Sequence, residues 1–317
     1  MTDTLRIGTR GSALAVAQTQ AIADRLAASA RVPVELVTIT THGDTSTESL
    51  ASLGGTGVFA GALREALRDG RCDLVVHSLK DLPTAPYEGL TVAAIPKRAD
   101  ARDALCARDG LTLDTLPEGA TVGTGSPRRV AQLLARRPDL SVREVRGNVD
   151  TRLRMVAEGA LDAVVLAAAG LSRLGLEDAV TEFFPIGDWP TAPGQGALAL
   201  EVRSSGTPGL VTRALQAVDH ATSHATATAE RLVLAGLEAG CAAPVAASAL
   251  VEDELFFLTA TVFRPDGTES LTSSHAAHLE SKSIAHLAEA AGDTSRRVVA
   301  ELLAAGAAGL APLGGTT

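Results

Sequence analysis

The chain has 317 residues, more than one hydrophobic core ordinarily supports, so about two domains are expected, with three small ones as the alternative. Its hydrophobic fraction of 46% fits a globular protein, and an aromatic fraction of 3% leaves an interior of Ala, Leu and Val with no stacking surface for nucleic acid. Apolar runs far shorter than the roughly 20 residues that span a bilayer, an N-terminus without a basic and then apolar leader, and three widely spaced cysteines argue against membrane, exported and disulfide-framework classes; the expectation is a cytoplasmic chain.

Residues 6–9 read as a short strand running through Arg10-Gly11-Ser12 into an Ala-rich helix over 13–27, with Ser12 as its N-cap. Alternation over 34–41 predicts a strand. Residues 42–57 are rich in Gly, Ser and Thr and lack periodicity, which reads as a mobile loop; Phe59, Leu63 and Leu67 then mark one helix face. The run Asp73-Leu74-Val75-Val76-His77 is a buried-type strand that empties into Ser78-Leu79-Lys80-Asp81-Leu82-Pro83.

The second half repeats this order, with strands at 120–122, 141–145 and 162–166, the loops Gly123-Thr124-Gly125-Ser126 and Gly147-Asn148, and a helix after each loop. Ile7-Gly8-Thr9 echoes Val122-Gly123-Thr124, and the run from Gly70 to Val76 echoes that from Gly159 to Val165. Two similar α/β lobes with parallel strands are therefore expected. From about His220 the pattern changes to a helix, three strands (244–251, 255–263 and 268–274) and a final helix over 281–305, which reads as a separate α+β domain. Glu252-Asp253-Glu254 and Arg264-Pro265-Asp266-Gly267 supply the turns between its strands.

The charge is −9 overall but unevenly placed. Residues 121–155 hold eight arginines against three carboxylates, an island of net +5 in an acidic chain. Ser126 reads as an N-cap and Pro127 as the first helical residue, which puts Arg128 and Arg129 in the first turn, where cations oppose the helix dipole. A ligand carrying several carboxylates, shared by those guanidiniums and the loop N–H groups, resolves the conflict. Arg146 and Arg152 flank a second strand-to-helix junction capped by Asn148, and Arg10 precedes the one capped by Ser12. Ligands of open α/β sheets sit beyond the carboxyl ends of strands, so these arginines are expected to converge on a cleft between the lobes. Arg136, Arg137 and Arg143, deeper in or beyond the helix, read as surface charge.

Asp81 follows a buried strand beside Lys80, where a carboxylate among cations could balance positive charge developing on a substrate. His220 and His224 have helical i, i+4 spacing but no third ligand, so they read as helix-surface residues and no metal is expected. The Gly-rich loops match neither the dinucleotide fingerprint nor the P-loop. Cys241, taken alone, reads as a small buried hydrophobe.

Taken in order, the runs Arg10-Gly11-Ser12-Ala13-Leu14-Ala15 with Gln18, His77-Ser78-Leu79-Lys80-Asp81, Val122-Gly123-Thr124-Gly125-Ser126-Pro127-Arg128-Arg129, Arg146-Gly147-Asn148-Val149 with Arg152, Ala169-Gly170-Leu171-Ser172-Arg173-Leu174-Gly175, Ala192-Pro193-Gly194-Gln195-Gly196-Ala197 and Gly240-Cys241 closely resemble the porphobilinogen deaminase (hydroxymethylbilane synthase) family. The resemblance implies two similar periplasmic-binding-protein-like α/β lobes, residues 1–96 with 197–215 and residues 97–196. It also implies a smaller C-terminal α+β domain, residues 216–317, with a three-stranded antiparallel sheet. The implied activity joins four porphobilinogen molecules head to tail into hydroxymethylbilane, releasing ammonia each time, in tetrapyrrole and heme biosynthesis.

By the same resemblance, Cys241 would hold a dipyrromethane cofactor through a thioether, and Lys80, Thr124, Ser126, Arg128 and Arg129 would hold the cofactor carboxylates. Asp81 would be the catalytic group, stabilising the cationic azafulvene formed as ammonia leaves and assisting proton transfer. Arg10, Ser12, Gln18, Phe59, Arg146, Arg152 and Arg173 would position porphobilinogen or the growing chain. The implied enzyme is a cytoplasmic monomer without nucleic-acid or membrane partners. Thr56 departs from the Lys common in the family, so that lysine's role does not carry over; Pro127 replaces a frequent Leu but suits the first helical position. A non-catalytic two-lobed solute-binding or sensor protein is the competing reading, since it shares the architecture.

Overall fold

Apolar side chains at Leu5 and Ile7 bury the first strand, β1 (Leu5–Arg10), and Ser12 then starts helix α1 (Ala13–Ala30) by accepting a hydrogen bond from Ala15 N at 3.3 Å. The computed structural model describes residues 4–31, 33–40, 60–240 and 243–313; the expected loop at 42–57 with Thr56, Phe59 and Cys241 lie outside the described residues. The first stretch continues with β2 (Val34–Ile39), α2 (Gly61–Arg68), β3 (Leu74–Ser78) and β4 (Leu90–Ala94). The second contains β5 (Asp103–Ala107), β6 (Thr121–Gly123), α3 (Pro127–Arg136), β7 (Ser141–Arg143), α4 (Val149–Ala157), β8 (Ala163–Ala167), α5 (Ala168–Arg173) and β9 (Glu182–Phe183). Next come β10 (Leu198–Arg203) and α6 (Gly209–Val218). The C-terminal part follows with α7 (Ala221–Gly236), β11 (Val245–Glu252), β12 (Leu255–Phe263), β13 (Ser270–His278), α8 (Ile284–Ala304) and α9 (Ala307–Leu310).

The strands form two five-stranded sheets of the same order, β2-β1-β3-β10-β4 and β7-β6-β8-β5-β9, and an antiparallel sheet β11-β12-β13. Within each large sheet the first three strands are parallel, but β10 runs antiparallel to β3 and β4, and β5 antiparallel to β8 and β9. The expectation of parallel strands is thus corrected for one strand of five in each sheet, β10 and β5, and the other four run the same way. The reason is topological: β10 enters the first sheet after the whole second stretch, without a right-handed βα crossover to set it parallel. Contacts divide the chain into two compact units, Met1–Ala99 with Ala197–His224 and Asp100–Gly196 with Ala225–Thr317. Among the described residues no helix is long and apolar enough to cross a membrane.

The sequence echo between the lobes is physical. Asp73 N donates to Arg6 O at 2.8 Å while its carboxylate accepts from Arg6 N at 2.9 Å; Asp162 repeats this on Thr121 with 2.9 and 2.7 Å. A Cβ on Gly8 would lie 2.7 Å from Val75 Cγ1, and one on Gly123 would lie 2.6 Å from Leu161 Cδ1. Both glycines are where they are because the neighbouring packing leaves no room for a side chain. Ile7, Leu26, Leu74 and Leu200 centre one core, and Leu105, Val122, Leu133 and Trp189 another, with Trp189 stacked on Phe184 at 4.3 Å between ring centroids.

In the second unit the C-terminal sheet packs α8 on one side and meets α3 with its β12–β13 turn. Ala131, Ala246 and Phe263 form a small shared core, and Gly267, at φ +76°, comes so close to α3 that a Cβ there would sit 2.4 Å from Ala131 O. Buried Glu230 on α7 accepts from Gly194 N at 2.7 Å and Ala249 N at 2.8 Å, tying the 190–196 loop to β11. The third strand of this sheet extends to His278 rather than ending at 274, because its polar positions lie on a half-exposed edge that hydrophobic alternation does not mark.

Candidate active site

In the first unit, β1 and β3 are parallel, so Arg10 and Ser78 emerge at the same carboxyl edge of the sheet. Thr19 on α1 donates to Thr9 Oγ1 at 2.8 Å, fastening the helix to β1 and bringing Gln18 round to accept from Ser78 Oγ at 3.2 Å. A small cavity here is lined by Arg10, Gln18, His77, Ser78 and Asp81. Asp81 ends a 3-10 turn, Leu79–Asp81, whose first N–H is held by Ala197 O at 3.0 Å. Lys80 is half-buried and Asp81 exposed. Behind this edge His77, Arg64 and Glu201 form a buried cluster.

In the second unit, all three expected features of α3 are present: Ser126 caps it by accepting from Arg129 N, Pro127 is its first residue, and Arg128 and Arg129 occupy the first turn. Thr124 is buried, and its Oγ1 accepts from Ser126 N at 3.2 Å. Asn148 caps α4 by accepting from Thr151 N at 2.9 Å, and Arg152 Nε donates to Gly147 O at 3.0 Å. Arg173 donates to Gly196 O at 2.8 Å.

Arg128 and Arg129 are not turned to solvent: they are 3% and 6% exposed and face a fully buried carboxylate, Asp103. Arg128 Nη2 lies 2.9 Å from Asp103 Oδ2, and Arg129 Nη2 lies 2.5 Å from Oδ1. Trp189 Nε1 and Gln195 Nε2 add donors at 2.9 and 2.8 Å. Burial alone would raise the Asp103 pKa, but Arg128 and Arg129 outweigh it and hold this carboxyl well below the usual range. The Nε atoms of Arg128 and Arg129 are buried without an acceptor.

Arg152 and Arg173 have no carboxylate partner among the described ion pairs. Burial, then repulsion from Arg129 and Arg146, lowers the Arg152 pKa from its ordinary value, and burial pushes Arg173 down to about 10. Arg152 thus lies near enough to Arg129 and to Arg146 to be repelled by each, and Arg146 also has Glu144 at 3.2 Å. Such a cluster favours a polyanionic ligand. The orphaned Nε–H groups of Arg128 and Arg129 are suited to carboxylates.

Asp103 and Trp189 are the residues that sequence reasoning missed, and Gln195 carried no assigned role. The available signal was a carboxylate heading the apolar run Ala104-Leu105-Cys106-Ala107, since a charge at the start of a buried strand requires partners. Arg137 is more than surface charge, because it donates to Leu113 O and Leu116 O at 2.7 and 3.1 Å besides pairing with Asp139. His220 and His224 are half-exposed or exposed and bond Ser223 Oγ and Asp219 Oδ1 at the start of α7; no metal-ligating group of His, Cys, Asp or Glu occurs among the described residues.

Residues 5–208 match the family model described as porphobilinogen deaminase, dipyromethane cofactor binding domain, and residues 224–292 match the porphobilinogen deaminase C-terminal domain. Porphobilinogen deaminase of Leifsonia xyli subsp. xyli is 68% identical, with 98% of this chain and 95% of the relative covered. That of Thermobifida fusca is 55% identical over 85% and 84%. Porphobilinogen deaminase 1 of Streptomyces coelicolor is 50% identical over 96% and 97%. The solved methionine-binding protein MetQ overlaps 68% of this chain and 89% of its own at 14% identity and a TM-score of 0.46, too distant to bear on ligand or reaction. The competing solute-binding reading therefore falls away: this chain belongs to the porphobilinogen deaminase family, transferases of tetrapyrrole synthesis with a dipyrromethane cofactor.

Proposed function

We propose that this chain joins four porphobilinogen molecules head to tail into hydroxymethylbilane, releasing ammonia at each addition, with the dipyrromethane attached through a thioether to Cys241. The observation that carries the residue-level reading is the grouping of Arg152 with Arg129 and Arg146, three guanidiniums for which the described ion pairs supply only Asp103 and Glu144. When bound, the cofactor supplies the pyrrole carbon from which the chain grows. The orphaned Nε atoms of Arg128 and Arg129 fit carboxylates of that group. Lys80, Thr124 and Ser126 complete its binding set, and Arg10, Ser12, Gln18, Phe59, Arg146, Arg152 and Arg173 orient porphobilinogen and the growing chain.

Asp81 places an exposed carboxylate at the edge of the cavity formed with Arg10 and Gln18. There its oxygens accept from pyrrole N–H groups, offset the positive charge that develops as ammonia leaves, and hold a proton during bond formation. The same reading takes the chain as a cytoplasmic monomer acting without nucleic acid or membrane. Its lobes are residues 1–96 with 197–215 and residues 97–196, and its cysteine-bearing domain is residues 216–317.

Asp81→Asn tests the assignment. Ammonia release from porphobilinogen should fall by about 10²–10⁴-fold, the range of a lost general acid–base group, while the cofactor stays attached. Retention of most activity would make Asp81 a turn residue only, and a wild-type chain that releases no ammonia would contradict the proposed reaction.

A further inference from the structure

Asp103 stands at the start of β5 with no exposed surface, and each of its oxygens accepts two hydrogen bonds: Oδ1 from Arg129 and Gln195, Oδ2 from Arg128 and Trp189. Two oxygens offer about four lone-pair sites, so this carboxylate has no capacity left for substrate or proton. Its effect must pass through the groups that bind it.

Arginine has five N–H donors. In the described hydrogen bonds Arg128 uses three, to Asp103, Gln132 and Pro190 O, and Arg129 uses three, to Asp103, Val165 O and Gln195. What remains on each is the Nε–H and one terminal N–H, and both Nε atoms are buried without an acceptor. One carboxylate against two guanidiniums also leaves a single excess positive charge. The carboxylate thus overcomes the repulsion between two adjacent buried cations, fixes both planes, and leaves charge and donors for one further anion.

We propose that Asp103 is a positioning residue that clamps Arg128 and Arg129 side by side as a paired donor for a cofactor carboxylate. This rests on the reading that those arginines hold the dipyrromethane. A purely structural Asp103 would contribute to stability alone; a positioning Asp103 also sets how much of the purified chain carries the cofactor.

Asp103→Asn keeps the shape and removes the charge. Intact-mass measurement of the folded variant should show the adduct-bearing fraction down by about ten-fold or more, the scale on which loss of a partner that orients ligand-binding groups acts. Asp103→Glu, which restores the charge one methylene further out, should recover part of it. Folded Asp103→Asn with the wild-type adduct fraction would overturn the proposal. If Asp103→Asn gives no soluble chain, Asp103→Glu decides: an intermediate fraction supports the role and an undiminished one contradicts it. An adduct absent from the wild-type chain as well would remove both this inference and the reading beneath it.

Discussion

Arg64 on α2 grips Glu201 on β10 with Nε 3.1 Å from both carboxylate oxygens and Nη2 2.8 Å from Oε1, and His77 Nε2 lies 3.1 Å from the same carboxylate. Arg64, Glu201 and His77 are each less than 8% exposed, and the Arg64 guanidinium also covers the Tyr87 ring at 4.6 Å. Desolvation makes such a pair weak evidence for net stability, but removing one partner strands the other. Glu201→Ala should therefore cost about 3–5 kcal/mol in urea denaturation, whereas the double change Arg64→Met, Glu201→Leu should cost much less. Equal losses in the single and double variants would contradict this account.

Acid should unfold the chain partly through the same residue. Burial opposes the charge on Glu201, but hydrogen bonds from His77 and Arg64 prevail and hold its pKa below the ordinary value; Asp103 is lowered as well. The unfolded chain takes up protons at about pH 4, where the folded chain does not, so stability is complete above that range and declines as pH falls toward the folded values. Thermal midpoints should stay level from neutrality to about pH 5 and drop below about pH 4.5, with a shallower drop in Glu201→Gln. An unchanged acid slope in that variant would exclude Glu201 as a contributor.

The turn at Gly267 should be among the least tolerant glycine positions. Its φ of +76° disfavours any side chain, and an added Cβ would also meet Ala131 O at 2.4 Å and Ala135 N at 2.7 Å, backbone atoms of the helix that carries Arg128 and Arg129. Gly267→Ala should destabilise by on the order of 3 kcal/mol, combining backbone strain with overpacking. Gly159→Ala is the control: φ is +74° but nothing lies within 4 Å, so only the strain of about 1–2 kcal/mol applies. Similar calorimetric losses for both would mean that the turn yields and α3 is not buttressed there.

Local chemistry was legible in the sequence and long-range pairing was not. The caps Ser12, Ser126 and Asn148 could be read because a cap depends on residues within three positions of itself. The lobe repeat was visible because Asp73 and Asp162 each clip the start of a first strand. By contrast, β5 and β10 are placed by crossings between distant stretches, and no local pattern assigns their antiparallel direction. The arginine island was found, but a helical position does not say whether Arg128 faces a ligand or Asp103, 25 residues away. Of the proposed site, Phe59 and Cys241 lie outside the described residues, so their assignment rests on the sequence and the family.

The central claim concerns the third cysteine. Cys72 and Cys106 are buried, and burial pushes their thiols up to about 11 and about 12, which leaves both poor nucleophiles at neutral pH. Cys241 is the cysteine assigned to cofactor attachment. Intact-mass spectrometry of the denatured wild-type chain should show an adduct of two pyrrole units that is missing from Cys241→Ser and retained in Cys72→Ser and Cys106→Ser. An unmodified wild-type mass, or an adduct that persists in Cys241→Ser, would contradict the account.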